Sequence, residues 1–354
     1  MIRGVGPESG SAIPIVASER PSRNPAARRA PALYSERVTT KRIAYLGPSG
    51  TFTEQALRSE PDLAAMDLVP FPKFVDVLDA TSNGDTDLGF VAIENAIEGT
   101  VNITLDALAF DHDLLIQREV VLDIHLNLMA APGTTMNDVT VVSSHPVASA
   151  QCRKFLHKEL PDVPVKAANA TAEAAALAAT TPGLAAIGPA LAAQNYGLDM
   201  LATDIADHED NQTRFVLVGR SGVPQPTGHD KTTVVLTQRE DRPGSLVAIL
   251  QQFAARSINL SRLSSRPVKR GLGDYCFIVD FDGHIADELT ADCLRSIHAK
   301  HADIKFLGSY PTAGEGSTAT RAEAESAWAH AHTWMNSLRG QIVTSESLPN
   351  GKLG

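Results

Sequence analysis

The chain is poor in cysteine, with three in 354 residues (Cys152, Cys276 and Cys293), far apart and without a C-x-x-C pair. That excludes a disulfide framework and a thiolate zinc site, and fits a reducing, cytoplasmic setting. Long apolar runs are also missing: none approaches the ~20 residues of a membrane-crossing helix, so no membrane is expected as a partner. Positive charge is scarce. A formal net charge of −10 leaves no basic surplus to grip a phosphate backbone, so no nucleic acid is expected either. Neither G-x-G-x-x-G nor G-x-x-x-x-G-K-[ST] occurs, and no His/Cys cluster has ligand spacing. The expectation is an activity with no cofactor and no metal.

What the chain has is length and apolar content for more than one core: 354 residues at 43% hydrophobic, read as about two domains. The first forty residues stand apart, with six Arg, five Pro and three Glu among many Ala and Ser. Such a segment cannot bury enough surface to order itself. It lacks the apolar core of a secretory signal, and Glu8, Glu19 and Glu36 count against a transit peptide. Residues 1–40 are expected to be a disordered extension or an over-called start.

From residue 41 one grammar recurs: an apolar strand, a small polar turn, a helix. Arg42–Leu46 runs into Gly47-Pro48-Ser49-Gly50 and a helix over TEQALRSE, capped by Thr51 or Thr53. Val139–Ser143 runs into Ser144-His145-Pro146 and a single helix VASAQCRKFLHKEL. Lys166–Ala168 runs into Asn169-Ala170-Thr171 and the helix AEAAALAAT. Free N–H groups and the helix dipole make such turns anion sites, and three together suit a ligand with more than one carboxylate. Asp87–Ile93 is a buried strand ending in Glu94-Asn95-Ala96-Ile97-Glu98-Gly99-Thr100. The carboxylates and carboxamide there are either functional or a solvated helix start, with Asn95 as cap and Glu98 completing a capping box. Asp123–Ala130 and Leu184–Ile187 add strands, giving an α/β pattern with largely parallel sheets.

Between Tyr196 and Val218 an apolar segment ends at Leu201, a polar run follows over 204–212, and Thr213-Arg214-Phe215 enters a strand. A hydroxyl and a guanidinium thus stand where a loop joins a buried strand, a place where α/β proteins build sites; the plain alternative is a charged turn before an edge strand. After a Gly/Pro-rich linker (221–230) a second unit begins. Strand signals at Thr232–Gln238, Ile258–Ser265, Tyr275–Asp282 and Asp303–Tyr310 alternate with helices over Ser245–Ser257 and Ala286–Ala302, the βαββαβ order of a ferredoxin-like α+β fold. Within it Tyr275, Phe277, Val279 and Phe281 alternate with Cys276, Ile278, Asp280 and Asp282. Ala322–Leu338 reads as an amphipathic helix, with disorder beyond it.

These motifs carry a resemblance. Tyr196, Leu198, Leu201 and Asp207, followed by Thr213-Arg214-Phe215 and Val216 and Val218, resemble the signature of the prephenate dehydratases. Further matches are Gly47, Pro48, Gly50, Thr51 and Phe52; Glu94, Asn95 and Gly99, with Ala96 where that family has Ser; His145, Pro146, Gln151 and Cys152; and, loosely, Asn169, Thr171 and Ala172. The second unit resembles an ACT domain through Gly244-Ser245-Leu246-Val247, Asn259-Leu260 and Ser264-Ser265-Arg266-Pro267, with Ser264 in place of Glu.

The resemblance implies a catalytic domain over 41–220 with two α/β lobes (about 41–120 plus 205–220, and 121–204), similar to type II periplasmic binding proteins, with the site in the cleft. A phenylalanine-sensing ACT domain over 231–312 and a tail over 313–354 follow. Prephenate is the implied substrate, converted to phenylpyruvate by loss of CO2 and hydroxide. Thr213 is the implied essential residue, either donating to the departing hydroxyl or serving as one link in a proton relay. Glu94 and His145 are candidate proton sources, His145 equally a helix cap. Arg214 either clamps a carboxylate or pairs with Asp207 or Asp210. Ser49, Thr51, Phe52, Asn95, Asn169, Thr171 and Phe215 are the implied substrate contacts. Gly244, Ser245, Leu246 and Val247 of one chain, with Asn259 and Leu260 of another, are implied to hold L-phenylalanine in a homodimer or homotetramer joined through ACT domains. An arogenate dehydratase, or a non-catalytic amino-acid sensor on the same fold, remains open.

Overall fold

The structure is a computed structural model that describes residues 40–240, 242–268, 275–313, 330–331 and 333–342. The expected N-terminal extension before Thr40, residues 322–329 of the expected tail helix and everything beyond 342 lie outside it. Residues 330–331 and 333–339 are helical and exposed.

Three sheets organise the described chain. The first has strands β1 (Arg42–Leu46), β2 (Asp67–Phe71), β3 (Leu88–Asn95), β5 (Leu115–Asp123) and β11 (Gln212–Gly219) in the order β2-β1-β3-β11-β5, with the two-residue β4 (Gly99–Thr100) on β3. Helices α1 (Phe52–Arg58), α2 (Pro61–Ala64), α3 (Phe74–Asn83) and α4 (Asn102–Asp106) accompany it. The second has β6 (Asn127–Ala130), β7 (Val141–Ser144), β8 (Val165–Ala167), β9 (Leu184–Gly188) and β10 (Asp199–Ala202), ordered β10-β6-β9-β7-β8, with α5 (Pro146–Ala150), α6 (Arg153–Glu159), α7 (Thr171–Ala178) and α8 (Ala190–Tyr196).

Both sheets are mixed, which corrects the expectation of largely parallel ones. In the first, β1 pairs β2 and β3 in parallel while β11 runs antiparallel between β3 and β5. In the second, β7 is parallel to β8 and β9 while β6 is antiparallel to β9 and β10. The reason is topological: β5 and β11 carry the chain out of and back into the first sheet, so one of them must reverse direction. The single strand expected over Asp123–Ala130 is in fact this exit. β5 ends at Asp123, β6 begins at Asn127 in the other sheet, and the return runs between Ala202 and Gln212.

The third sheet holds β12 (Asp230–Gln238), β13 (Leu260–Pro267), β14 (Tyr275–Asp282) and β15 (Ala302–Pro311), all antiparallel in the order β13-β14-β12-β15, with helices α9 (Ser245–Ala254) and α10 (Glu288–Lys300). Its alternating residues serve two cores. Val234, Leu236, Phe277, Val279 and Phe281 pack on Ile249, Phe253, Leu294 and Ile297 of the two helices. Val235, Cys276, Ile278, Leu307 and Tyr310 join a core containing Val91, Ile93, Ile116, Val216 and Val218 of the first sheet. The C-terminal sheet therefore lies between its own helices and the first sheet. The approach is close at Gly308, where an added Cβ would lie 2.3 Å from the carbonyl oxygen of Ile116, so only glycine fits that strand crossing.

Candidate active site

Thr213 is the second residue of β11 and is paired across the sheet with Asn95, the last residue of β3. Partners directly opposite share a face of the sheet, and the Asn95 carboxamide uses this. Its Nδ2 donates to Thr213 Oγ1 at 2.9 Å and to Asn211 Oδ1 at 3.0 Å, while its Oδ1 accepts from Ile97 N and Glu98 N, each at 3.0 Å. Of the two readings left open at this point, the helix start does not form: the segment is the tight turn between β3 and β4, held by Asn95. The amide chain continues: Asn211 Nδ2 donates to Gln151 Oε1 at 2.9 Å, and Gln151 Nε2 to Glu98 Oε1 at 3.3 Å. Four neutral or exposed groups from both lobes thus close a loop beside one hydroxyl. Asn211 and Gln151 are buried, at 1% and 7% exposure, so each needs these partners.

A hydroxyl has one proton and two acceptor positions. Asn95 occupies an acceptor position of Thr213, and among the described residues no acceptor takes its proton. Thr213 is half-buried and held with its O–H ready to donate.

Gln151 reaches this point because the helix expected from Val147 to Leu160 breaks. It is two helices, α5 ending at Ala150 and α6 starting at Arg153. The returning strap causes the break. Asp207 N donates to the Gln151 carbonyl at 2.6 Å, and Asp207 Oδ1 accepts from Lys154 N at 3.0 Å, capping the second helix. Nearby Cys152 is inert: burial, then the Asp207 charge, push its thiol up to about 12.

The three strand-to-helix turns are less open than their pattern suggests. At each, a leading N–H is engaged by the chain itself: Gly50 N by Glu54 Oε2 at 2.7 Å, Val147 N by His145 Nδ1 at 3.4 Å, and Asn169 N by Glu173 Oε2 at 2.8 Å. Glu54 is 1% exposed. Burial alone would raise its pKa, but Ser49, Gly50 and Arg58 outweigh that and hold it below the usual range. The Ser49 hydroxyl donates to Glu54 at 2.7 Å and accepts from Asn195 Nδ2 of α8 at 3.0 Å, while Tyr196 donates to the Ser49 carbonyl at 2.9 Å. Thr51 caps α1, and Phe52 packs on the core of the second lobe. Ser49 and Phe52 therefore join the lobes. Thr171 is buried at the start of α7, and Asn169 is exposed beside it. His145 is an N-cap, and among the described residues no hydrogen bond ties it to Thr213, Asn95 or Glu94.

Three expectations are corrected by where each side chain lies. Phe215 does not line the site: it is 2% exposed and its ring stacks on Phe90 at 5.3 Å and 9°. Arg214 neither clamps a carboxylate in the cleft nor pairs with Asp207 or Asp210. As the strand neighbour of Thr213 it points the opposite way, into the contact with the C-terminal sheet. Its Nε bonds Glu119 Oε2 at 2.5 Å, Nη1 bonds Asp280 Oδ2 at 2.5 Å, and Nη2 bonds the Tyr310 hydroxyl at 2.9 Å. Glu94, opposite Arg214 in the register, goes with it, 3.5 Å from Nη1, and so lies on the face away from Thr213. Lys231 on Glu119 at 3.0 Å and Arg262 on Asp280 at 3.0 Å complete a buried ionic cluster. Burial opposes the Arg214 charge, but Tyr310, Asp280 and Glu119 keep it well above its ordinary pKa. Burial likewise opposes the Asp280 charge, and Arg214 and Arg262 hold its carboxyl below the ordinary range.

Sequence reasoning missed Asn211 and Asp280. Asn211 sits in a polar run that reads as a solvated turn. Asp280 left a signal, a charge on the strand face that also carries Cys276 and Ile278, which a buried partner alone explains.

In the C-terminal unit Gly244 caps α9 at φ 90°, a conformation that favours glycine. Ser245 Oγ donates to the Glu240 carbonyl at 3.0 Å, Leu246 and Leu260 join the helix-side core, Val247 is exposed, and Asn259 Nδ2 donates to Asp282 at 3.1 Å. Gly244 and Asn259 flank opposite ends of the ten-residue α9, about 15 Å along its axis. One chain alone does not bring those two segments together.

The family model for prephenate dehydratase matches residues 43–223, and that for the ACT domain residues 233–299. A curated relative named prephenate dehydratase, from Mycolicibacterium vanbaalenii, is 44% identical over 312 residues, 84% of this chain and 98% of the relative. A solved structure from Arthrobacter aurescens, described as prephenate dehydratase in complex with L-Phe, is 41% identical with a TM-score of 0.76, covering 84% of this chain and 99% of that one. A second solved structure, described as a novel type of quorum quenching acylase, is 26% identical with a TM-score of 0.68, covering 77% and 98%. These matches show that the chain belongs to the prephenate dehydratase family and carries an ACT domain behind its prephenate dehydratase part.

Proposed function

We propose that the chain converts prephenate to phenylpyruvate and that L-phenylalanine regulates it. The observation that carries the reading is the Thr213 hydroxyl, fixed by Asn95 as an acceptor with its proton free, at the junction of two lobes. In this reaction the bond to the leaving carboxylate breaks and its electron pair enters the ring. The ring carbon–oxygen bond breaks in the same event, releasing hydroxide, which takes up a proton as water. Aromatisation supplies the driving force, so orientation and electrostatics suffice. Thr213 donates to the departing oxygen. The amide chain from Asn95 through Asn211 and Gln151 to Glu98 keeps that donor aimed, each link polarising the next. The turns at Ser49–Phe52, His145 and Asn169–Thr171 frame the substrate. The acylase reading gains no support from this geometry. Among the described residues no base is hydrogen-bonded to Thr213, and nucleophilic activation of a hydroxyl needs such an adjacent base.

The catalytic domain is inferred over 41–220, with lobes about 41–120 plus 205–220 and 121–204, in the manner of type II periplasmic binding proteins. The ACT domain is inferred over 231–312. Phenylalanine is placed between Gly244–Val247 of one chain and Asn259-Leu260 of its partner, which calls for a homodimer or homotetramer, since α9 separates these segments within a chain. Three free, buried cysteines favour the cytoplasm. The test is a spectrophotometric assay of the purified chain with prephenate. Phenylpyruvate formation that falls on adding L-phenylalanine is expected, and absence of turnover would sink the enzymatic reading.

A further inference from the structure

Among the described residues, Arg214 is the one side chain through which the C-terminal sheet grips the strand of Thr213 by charge. Its three nitrogens each have a partner, two of which, Asp280 on β14 and Tyr310 on β15, belong to the other unit. Both are at 0% exposure, and Arg214 is 11% exposed at the side chain. Asp280 is itself clamped from three sides, accepting from Arg214, from Arg262 at 3.0 Å and from Thr233 Oγ1 at 2.8 Å, while Thr233 also meets the Tyr310 hydroxyl at 2.6 Å. Stability is a poor reason for such a cluster, because buried ion pairs are often no better than packed apolar residues. Position is a better one. Thr213 and Arg214 are consecutive on one strand, so the backbone that Arg214 anchors also carries the Thr213 hydroxyl on the other face. Arg262 is the loose end. It gives Asp280 one nitrogen, and among the described residues its buried Nε and Nη1 have no partner.

We infer that Asp280 is a positioning residue for the reaction: by holding Arg214 from the ACT sheet it sets the end of β11 and hence the aim of the Thr213 hydroxyl. The inference rests on the catalytic reading of Thr213. It makes the ACT sheet part of the catalytic scaffold as well as a sensor, since a shift of β14 reaches the cleft through one guanidinium. A contact between units with no bearing on the chemistry would affect folding and leave turnover by the folded protein alone.

The experiment is steady-state kinetics with prephenate on the full chain as wild type, Asp280→Asn, Thr213→Ala and the double variant, with melting followed in parallel. Asp280→Asn is expected to lower kcat at least ~10-fold while KM stays within ~3-fold, and Asp280→Glu to recover part of the loss, because only the carboxylate fixes Arg214. In the Thr213→Ala background Asp280→Asn is expected to change the rate less than ~2-fold, since residues acting through one group are not additive. If Asp280→Asn does not fold, Tyr310→Phe carries the test. It keeps both carboxylates and is expected to lower kcat ~3-fold or more. Undiminished kcat in Asp280→Asn or in Tyr310→Phe overturns the inference, as does an equal loss with and without Thr213. Thr213→Ala that turns over like wild type overturns the catalytic reading of Thr213 and this inference with it, and is distinguishable because it involves no change at Asp280.

Discussion

The two faces of β11 at its first turn are built from opposite materials. On the cleft face, Thr213 is held by carboxamides, Asn95, Asn211 and Gln151, at 2.9 to 3.0 Å, ending at an exposed glutamate. On the other face, Arg214 is held by buried charges, Glu119 and Asp280, each at 2.5 Å. Neutral amide bonds contribute about 0.5–1.5 kcal/mol each and are remade readily, which suits a site that adjusts to a ligand. A buried charge left without its partner costs several times more, which suits a face that has to stay put. One residue step along the strand separates an adjustable site from a fixed anchor, and the period of two makes that possible without a linker.

The comparison breaks hardest on the anchor side. Arg214→Ala leaves Glu119 and Asp280 buried with less compensation. The expected loss is about 3–5 kcal/mol of stability, read from urea unfolding; a change under ~1 kcal/mol would mean the cluster is solvated in solution. On the other face, Thr213→Ala removes the hydroxyl that Asn95 holds and leaves the anchor intact. A kcat loss on the order of 10²–10³ with an unchanged melting temperature is expected, and unchanged turnover would remove Thr213 from the mechanism.

Acid sharpens the contrast through Asp280 of the anchor. Asp280 has a folded-state pKa below its ordinary value, with burial opposed by Arg214 and Arg262. A depressed pKa contributes stability that is fully present above the unfolded value, about 3.9, and is lost as pH falls through the folded value. Glu54 adds in the same direction. Circular dichroism should show the stability owed to these carboxylates constant at neutral pH and declining below about pH 4. Asp280→Asn should be less stable at pH 7 but show a shallower decline. Parallel curves for the two proteins would mean that Asp280 is not the acid-sensitive member. The smallest effect is expected at Ala96, an exposed turn residue whose N–H bonds the Gln212 carbonyl at 2.8 Å. Ala96→Ser leaves that bond in place and should keep kcat within ~2-fold; a large loss would show that the turn shapes the substrate pocket.

Much of this was legible in the chain. The alternation over Tyr275–Asp282 corresponds to β14 with its two cores, and the apolar run from Leu88 to Ile93 is the centre of β3. Capping by Thr51 and the glycine before α9 are local and stand where their patterns place them. The helix through Gln151 was misread because the group that breaks it, Asp207, arrives from 56 residues away by position and competes for a carbonyl that helical periodicity assigns to the helix. The turn after Asn95 was ambiguous because the same Asn and Glu suit either a helix cap or a hairpin, and only the returning β11 decides between them.

The amino-acid sequence by itself determined that a threonine and an arginine begin one strand, and that neighbours on a strand face opposite ways. Tertiary structure alone decided which of them meets the cleft. The partners of Arg214 stand 95, 66 and 96 residues away, at Glu119, Asp280 and Tyr310. Strand and helix periods report which side chains share a face, because those are set by backbone dihedrals within a few residues. They carry no information about what is packed against that face. The identity of the neighbour depends on how two separately formed sheets dock, and that is set by apolar burial summed over the whole contact.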